Sequence, residues 1–309
     1  MKHAVVIAAS VLLIALPLFG VAADAGAGKV ELRLHHRAGQ TYRCTMQVED
    51  STVRWVDGTE MASAETVEGT YTFSVKALDD EGVATLQMIV DRIVYDKKGE
   101  GGEFHLDTDE PEAEAADLEV RILKLMAGRA FTLKVKPNGE IVELTGAEAI
   151  LEDVKKLLPE DENVRKMILG NIERAFGNEA VRVKMDPFPG LYPDEAVAVG
   201  DSWDQFTLDS RKDGVATVAL EKTIEPDPDA EPEQTGDGTV RSNLAGTRKG
   251  TVRIDEETGL IIEGRLDLEL KGEYLFTSTQ DPENEISVPT TVVQSTTLKM
   301  QEVDPAADQ

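Results

Sequence analysis

Residues 69–90 read GTYTFSVKALDDEGVATLQMIV, and the spacing of their apolar positions decides the fold class. Tyr71, Phe73, Val75 and Ala77 alternate with threonine, serine and lysine. That period of two places successive side chains on opposite faces of a strand. Asp79-Asp80-Glu81-Gly82 supplies turn chemistry, and Val83 to Val90 supplies the return strand. The stretch therefore predicts an antiparallel pair with one wet face.

The pattern repeats outward from this pair. KVELRLHH (29–36) sets Val30, Leu32 and Leu34 against Glu31, Arg33 and His35, which predicts a further strand. In TYRCTMQV (41–48), Tyr42, Cys44, Met46 and Val48 alternate, so Cys44 reads as a buried core thiol. It is the one cysteine of the chain, and no internal disulfide can form. Strand character returns at Val197 and persists to Val303, with a hairpin turning at Glu257-Thr258-Gly259.

The middle of the chain changes character. An acidic, proline-punctuated loop at 107–119 runs into a helix ending near Gly128. FTLKVKPNGEIVEL (131–144) is a hairpin around Pro137-Asn138-Gly139. Thr145 and Glu148 have the spacing of a capping box, opening a helix striped by Ile150, Leu151, Val154, Leu157 and Leu158 and stopped by Pro159. A second helix carries Val164, Met167, Ile168, Ile172 and Phe176 up to Gly177, and a short third runs from about 178 to 185. The prolines of DPFPGLYP (186–193) then forbid helix. The phrase Gly-Val-Ala-Thr occurs at 82–85 and at 214–217, each time after an acidic turn. A duplicated meander predicts this, and so does hairpin chemistry used twice.

Residues 1–23 have a basic start at Lys2, an apolar run to Phe19 and small residues at Val21 and Ala23, the layout of a cleaved signal peptide. Retention of this segment as an anchor is the alternative. Export to the periplasm or beyond is expected, without lipoprotein processing, because no cysteine lies near the cleavage region. No later apolar run reaches the length of a membrane span. The expected layout is one β-rich domain over 24–303, with a helical segment at 113–186 enclosing the hairpin at 130–144 and a tail at 304–309. A formal net charge of −27 disfavours nucleic acid and anionic membrane surfaces as partners.

Chemistry-bearing arrangements are sparse. Gly200-Asp201-Ser202 resembles a hydrolase nucleophile turn, but no histidine follows His105 and strand rather than helix comes next. Glu103, His105 and Asp107 share one face at strand spacing, which makes them the metal candidate of the chain; a solvated hairpin edge is the competing reading. The chain holds no phosphate loop, dinucleotide fingerprint or thiol redox pair, and no cofactor is expected.

Four phrases carry a resemblance: LRLHHRAGQTYR (32–43), AGRAFTLKVKPNGEIVEL (127–144), YPDEAVAVGDSW (192–203) and GTVRIDEETGL (250–260). In their order and spacing the chain resembles an uncharacterised family of exported bacterial envelope proteins, a domain of unknown function. The layout is also similar to the half-barrel of periplasmic lipoprotein carriers. That resemblance implies an α+β, mostly β fold in which a large curved antiparallel sheet, open as a half-barrel, embraces a few helices. It further implies that Leu151, Val154, Leu158, Ile168, Ile172 and Phe176 line an apolar cavity. The function expected on this basis is non-enzymatic binding of a lipid or other apolar ligand. The alternatives are a structural or protein-interaction module of the envelope and, third, a metal-dependent enzyme using Glu103, His105 and Asp107.

Overall fold

The computed structural model describes residues 28–111, 118–158, 177–228, 232–235, 238–279 and 281–303, with residues 162, 165, 168–170, 172 and 173 between them. The proposed signal peptide, residues 112–117 of the acidic loop, the C-terminal tail, Val164, Met167 and Phe176 lie outside the described residues.

Among the described residues, thirteen strands form one sheet. They are β1 (Thr41–Val56), β2 (Thr59–Leu78), β3 (Ala84–Gly99), β4 (Gly102–Asp107), β5 (Ala130–Val135), β6 (Ile141–Thr145), β7 (Ser202–Trp203), β8 (Phe206–Lys212), β9 (Val215–Ile224), β10 (Glu233–Thr235), β11 (Gly238–Asp255), β12 (Ile261–Ser278) and β13 (Asp281–Glu302). Helices α1 (Leu118–Met126), α2 (Ala147–Lys155) and α3 (Asn178–Lys184) accompany them among the described residues. The strand order is β6-β5-β3-β2-β1-β13-β12-β11-β9-β8-β7, with β4 beside β3 and β10 beside β11. All pairings are antiparallel, and the sheet is open, not closed into a barrel. The first and last strands meet in its middle, in register from Tyr42↔Glu302 to Arg54↔Thr290.

The opening stretch forms β2, its turn and β3. Asp79 accepts the backbone N–H groups of Glu81 and Val83 through its carboxylate, each at 2.9 Å, which closes the turn. Along β3, Ala84, Leu86, Met88 and Val90 are buried, and then the buried set changes parity to Ile93 and Tyr95. A bulge causes the change: Thr70 pairs with Arg92 and Tyr71 with Val90, leaving Asp91 unpaired. Bulges bend a strand and increase its twist.

Two apolar clusters make up most of the core. One joins Phe131, Leu133, Ile141 and Leu144 of the β5–β6 hairpin to Ile122, Ile150, Val154, Leu158, Ile172 and Val181 from the helical region. The other contains no helix residue among the described ones. Phe188, Leu191, Tyr192 and Val197 from the proline-rich connection pack on Phe206, Leu208, Val218, Leu220, Val252 and Ile254.

Two sequence expectations are corrected here. KVELRLHH is not a strand of the sheet. It makes a single bridge, Val30↔Val197, and then crosses the sheet's end as an extended strap. Leu34 N–H donates to Pro137 of the β5–β6 turn, and His35 N–H to Thr258 of the β11–β12 turn, both at 2.8 Å. Its alternation survives because one side of the strap faces the core, with Leu32 1% exposed. The capping box also fails. Thr145 is the last residue of β6, paired with Thr132, and the N-cap of α2 is Gly146. Glu148 still reaches back to the Gly146 N–H at 3.0 Å, but Asn178 of α3 caps Ala147 N–H at 3.1 Å. The two Gly-Val-Ala-Thr phrases, whose origin the sequence leaves open, follow different turns: a five-residue loop held by Asp79, and a two-residue Asp213-Gly214 turn with both residues at positive φ. Their shared feature is local: Ala84 and Ala216 are both fully buried at the start of a strand.

Candidate functional site

A cavity of about 140 Å³ lies at the seam between the two cores. Its sheet side is built by Ile141 of β6, Leu133 and Val135 of β5, Leu86 of β3, Phe73 of β2 and Tyr42 of β1. Leu298 and Met300 of β13 and Ile261 of β12 complete that side. These seven strands are consecutive neighbours in the sheet. Laid flat at roughly 4.8 Å per strand they would extend about 29 Å, far more than so small a cavity can touch. The sheet is therefore curled around it.

The other walls come from the connection after α3, through Met185, Asp186, Pro187, Phe188, Leu191 and Tyr192, and from Leu34 and His36 of the strap. Tyr192 ties the two sides together. Its hydroxyl donates to the Gly259 carbonyl at 2.6 Å, and a Cβ placed on Gly139 would fall 2.7 Å from its ring. Gly139 and Gly259 occupy the β5–β6 and β11–β12 turns at positive φ, where a side chain is strained. Burial pushes the Tyr192 phenol well above its usual range, so it remains a donor.

Polar groups are few on this wall. His36 stacks obliquely on Tyr42, with ring centroids 5.9 Å apart. Its Nε2 is buried and finds no hydrogen-bond partner among the described residues. Burial, with a smaller contribution from the charge of His35, lowers the imidazole pKa to about 4, so the ring is neutral at pH 7. Asp186 accepts the Phe188 backbone N–H, and its carboxyl pKa is raised by burial.

Of the residues expected to line a cavity, none of the described ones borders this one. Val154, Leu158 and Ile172 are buried in the helical core, Leu151 and Ile168 pack against it, and Phe176 lies outside the described residues. The described stripe residues stand in the helical core, and this cavity is bordered by strands, strap and connection. Among these, Tyr42, Phe73 and Leu133 were legible as inward-facing positions. The convergence of residues 34–36 and 185–192 on them had no sequence signal, because it depends on the curl of the sheet.

The metal candidate is dispersed along the β3–β4 ladder. Glu103 pairs with Lys98 at 3.0 Å, and His105 Nδ1 lies 2.7 Å from Asp96. Asp107 is held by Arg92, whose guanidinium keeps that carboxyl down at about 2. Among the described residues no three His, Cys, Asp or Glu side chains stand close enough to hold a metal ion. Ser202 belongs to a corner as well. Its hydroxyl lies 2.8 Å from that of Thr207, and Asp201 accepts the Ala198 N–H at 2.9 Å. Trp203 Nε1–H donates to the carbonyls of Gly190 and Leu191, both at 3.1 Å. Cys44 is buried, with its thiol pushed up to about 12. No helix among the described residues is long and apolar enough to cross a membrane.

Fold and cavity together define an open antiparallel half-barrel with an apolar pocket under its curl. The chain belongs to a family of unknown function, DUF6263, whose model matches residues 81–261. No curated protein is significantly similar to it. Solved structures with a similar arrangement include lipovitellin, studied for its lipid–protein interactions, at 11% identity and a TM-score of 0.42. The match covers 86% of this chain and 25% of that one, so the chain spans about a quarter of its length. DynF from the dynemicin biosynthesis pathway of Micromonospora chersina matches at 9% identity and a TM-score of 0.23, covering 95% and 94% of the two chains. The translocator domain of the autotransporter NalP from Neisseria meningitidis matches at 6% identity and a TM-score of 0.18, covering 86% and 90%. None of the three supplies a functional argument for this chain.

Proposed function

We propose that this chain is an exported, non-enzymatic binding protein that holds an apolar, lipid-like ligand in the cavity at the seam of its two cores. The observation that carries the reading is the lining. Seven strands, the strap and the connection after α3 converge aliphatic and aromatic side chains on one space of about 140 Å³. An apolar cavity of about 150 Å³ stays dry and takes a benzene-sized guest. This space therefore suits one ring or the end of one acyl chain. Export rests on the basic start, apolar run and small residues of positions 2–23. Protein purified from its own cell envelope should release a stoichiometric apolar compound on solvent extraction, detected by mass spectrometry. Extraction that yields none contradicts the reading.

A second reading, a structural or interaction module of the envelope, draws on the size of the cavity. Ligand pockets for drug-sized molecules run to about 300–1,000 Å³, well above this one. Under that reading Val135→Phe, which adds ring volume beside the cavity, leaves every interaction of the protein unchanged. Under the binding reading it expels the ligand.

A further inference from the structure

We infer that the preferred guest of the cavity carries a single neutral hydroxyl group on a small apolar body, and that this hydroxyl pairs with His36 Nε2. The inference rests on the binding function proposed above and specifies its ligand.

The argument begins with an unpaired atom. His36 lines the cavity, and its Nε2 is buried without a partner among the described residues. Buried polar groups in folded proteins are almost always hydrogen-bonded, and an unpaired one on a residue that borders a ligand cavity points to a partner supplied by the ligand. A neutral imidazole nitrogen is a donor in one tautomer and an acceptor in the other. A hydroxyl serves both, because it donates one hydrogen bond and accepts others. A carboxylate only accepts, and an ammonium only donates.

The surroundings select against charge. Phe73, Leu133, Leu191, Leu298 and Met300 give an ion no solvation. A cation gains little from Asp186, whose carboxyl already accepts the Phe188 N–H and whose ionised form is disfavoured by burial. Volume limits the part of the guest held inside to about one six-membered ring, given that about 150 Å³ accommodates benzene. A monocyclic phenol, or an alcohol of similar size, fits both demands.

Phenol and toluene have the same shape and differ by a hydroxyl for a methyl, so they separate the two claims. In a purely apolar cavity the desolvation of the hydroxyl makes toluene the better guest by roughly tenfold or more. Calorimetric titration of the full mature chain should instead find phenol bound at least as tightly as toluene. His36→Leu should weaken phenol by about tenfold and leave toluene unchanged or tighter. Toluene bound tenfold tighter than phenol by the wild type, or the same phenol-to-toluene ratio in His36→Leu, overturns the hydroxyl inference and leaves apolar binding standing. Failure of both probes to bind overturns apolar binding with it. Should His36→Leu not fold, the His36 ring ¹⁵N resonances of the wild type give the answer: phenol shifts Nε2 and toluene does not. Equal shifts with the two probes overturn the inference.

Discussion

Tyr192 donates its phenolic hydrogen to the carbonyl oxygen of Gly259 across 2.6 Å while its ring lies against Gly139. Those glycines sit in turns whose strands, β5 and β12, are separated in the sheet by β3, β2, β1 and β13. One side chain thus holds together two turns that a flat sheet would keep far apart. Tyr192→Phe leaves the buried Gly259 carbonyl without this donor, and should lower stability by about 1–3 kcal/mol in urea unfolding. An unchanged midpoint would show that the clasp contributes nothing.

Gly259 and Gly214 offer a controlled comparison. Both have positive φ, +72° and +77°. A Cβ on Gly259 would lie 1.7 Å from the Arg33 carbonyl oxygen of the strap, whereas one on Gly214 meets nothing within 4 Å. Gly214→Ala should cost about 1 kcal/mol, the left-handed backbone penalty alone. Gly259→Ala should cost clearly more and loosen the strap, seen as faster hydrogen exchange at Leu34 and His35. Equal losses would contradict the close approach.

The His36 imidazole makes stability depend on pH. Its pKa in the folded state is about 4, against 6.5 for the free group. Between those values the unfolded chain binds more protons, so stability is full above about pH 6.5 and falls as the pH drops towards 4. The total loss from this group is on the order of 3 kcal/mol. Urea midpoints measured at pH 7 and pH 5 should differ less in His36→Leu than in the wild type. A difference of the same size in both would show that the ring is not buried neutral.

Arg211 grips Glu256 with two hydrogen bonds of 2.8 Å and also donates to the Gly28 carbonyl at 2.9 Å. The pair is largely shielded, at 20% and 17% side-chain exposure, so solvent screens it less than a surface ion pair. The hydrogen bond from Arg211 lowers the Glu256 pKa below its ordinary 4.5. Its contribution is therefore present above pH 4.5 and lost as the pH falls through the lower folded value. Glu256→Gln should cost about 1.5–3 kcal/mol at pH 7. The gap to wild type should narrow below pH 4.5, and a gap that stays constant would contradict the pairing.

Ser202 and Trp203 should behave as parts of a corner. Ser202→Ala is expected to change stability by at most about 0.5 kcal/mol. Trp203→Ala removes two hydrogen bonds and a ring stacked 6.0 Å from Phe206, and should cost about 2–4 kcal/mol.

The contrast between elements shows what a linear sequence encodes. The β2–β3 pair, the β5–β6 hairpin and the β11–β12 turn were legible because alternation and turn chemistry act over a few residues. The strap was misread as a sheet strand because an extended chain with one buried side alternates in the same way, whether or not it pairs. The α2 cap was misassigned because Thr145 belongs to a ladder and Asn178, 33 residues onward, does the capping. The apolar stripes of the helices were legible as buried but not as core rather than cavity. Only the curl of seven strands decides where a void remains, and that is a property of the whole sheet.

The central claim is that the space between strap, connection and sheet accepts an apolar guest. A crystal of the mature protein pressurised with xenon tests it most directly, since xenon occupies dry apolar cavities. The account predicts a xenon atom enclosed by Phe73, Leu133, Leu191 and Leu298. Ordered water filling that space, with no xenon there under pressure, would contradict it.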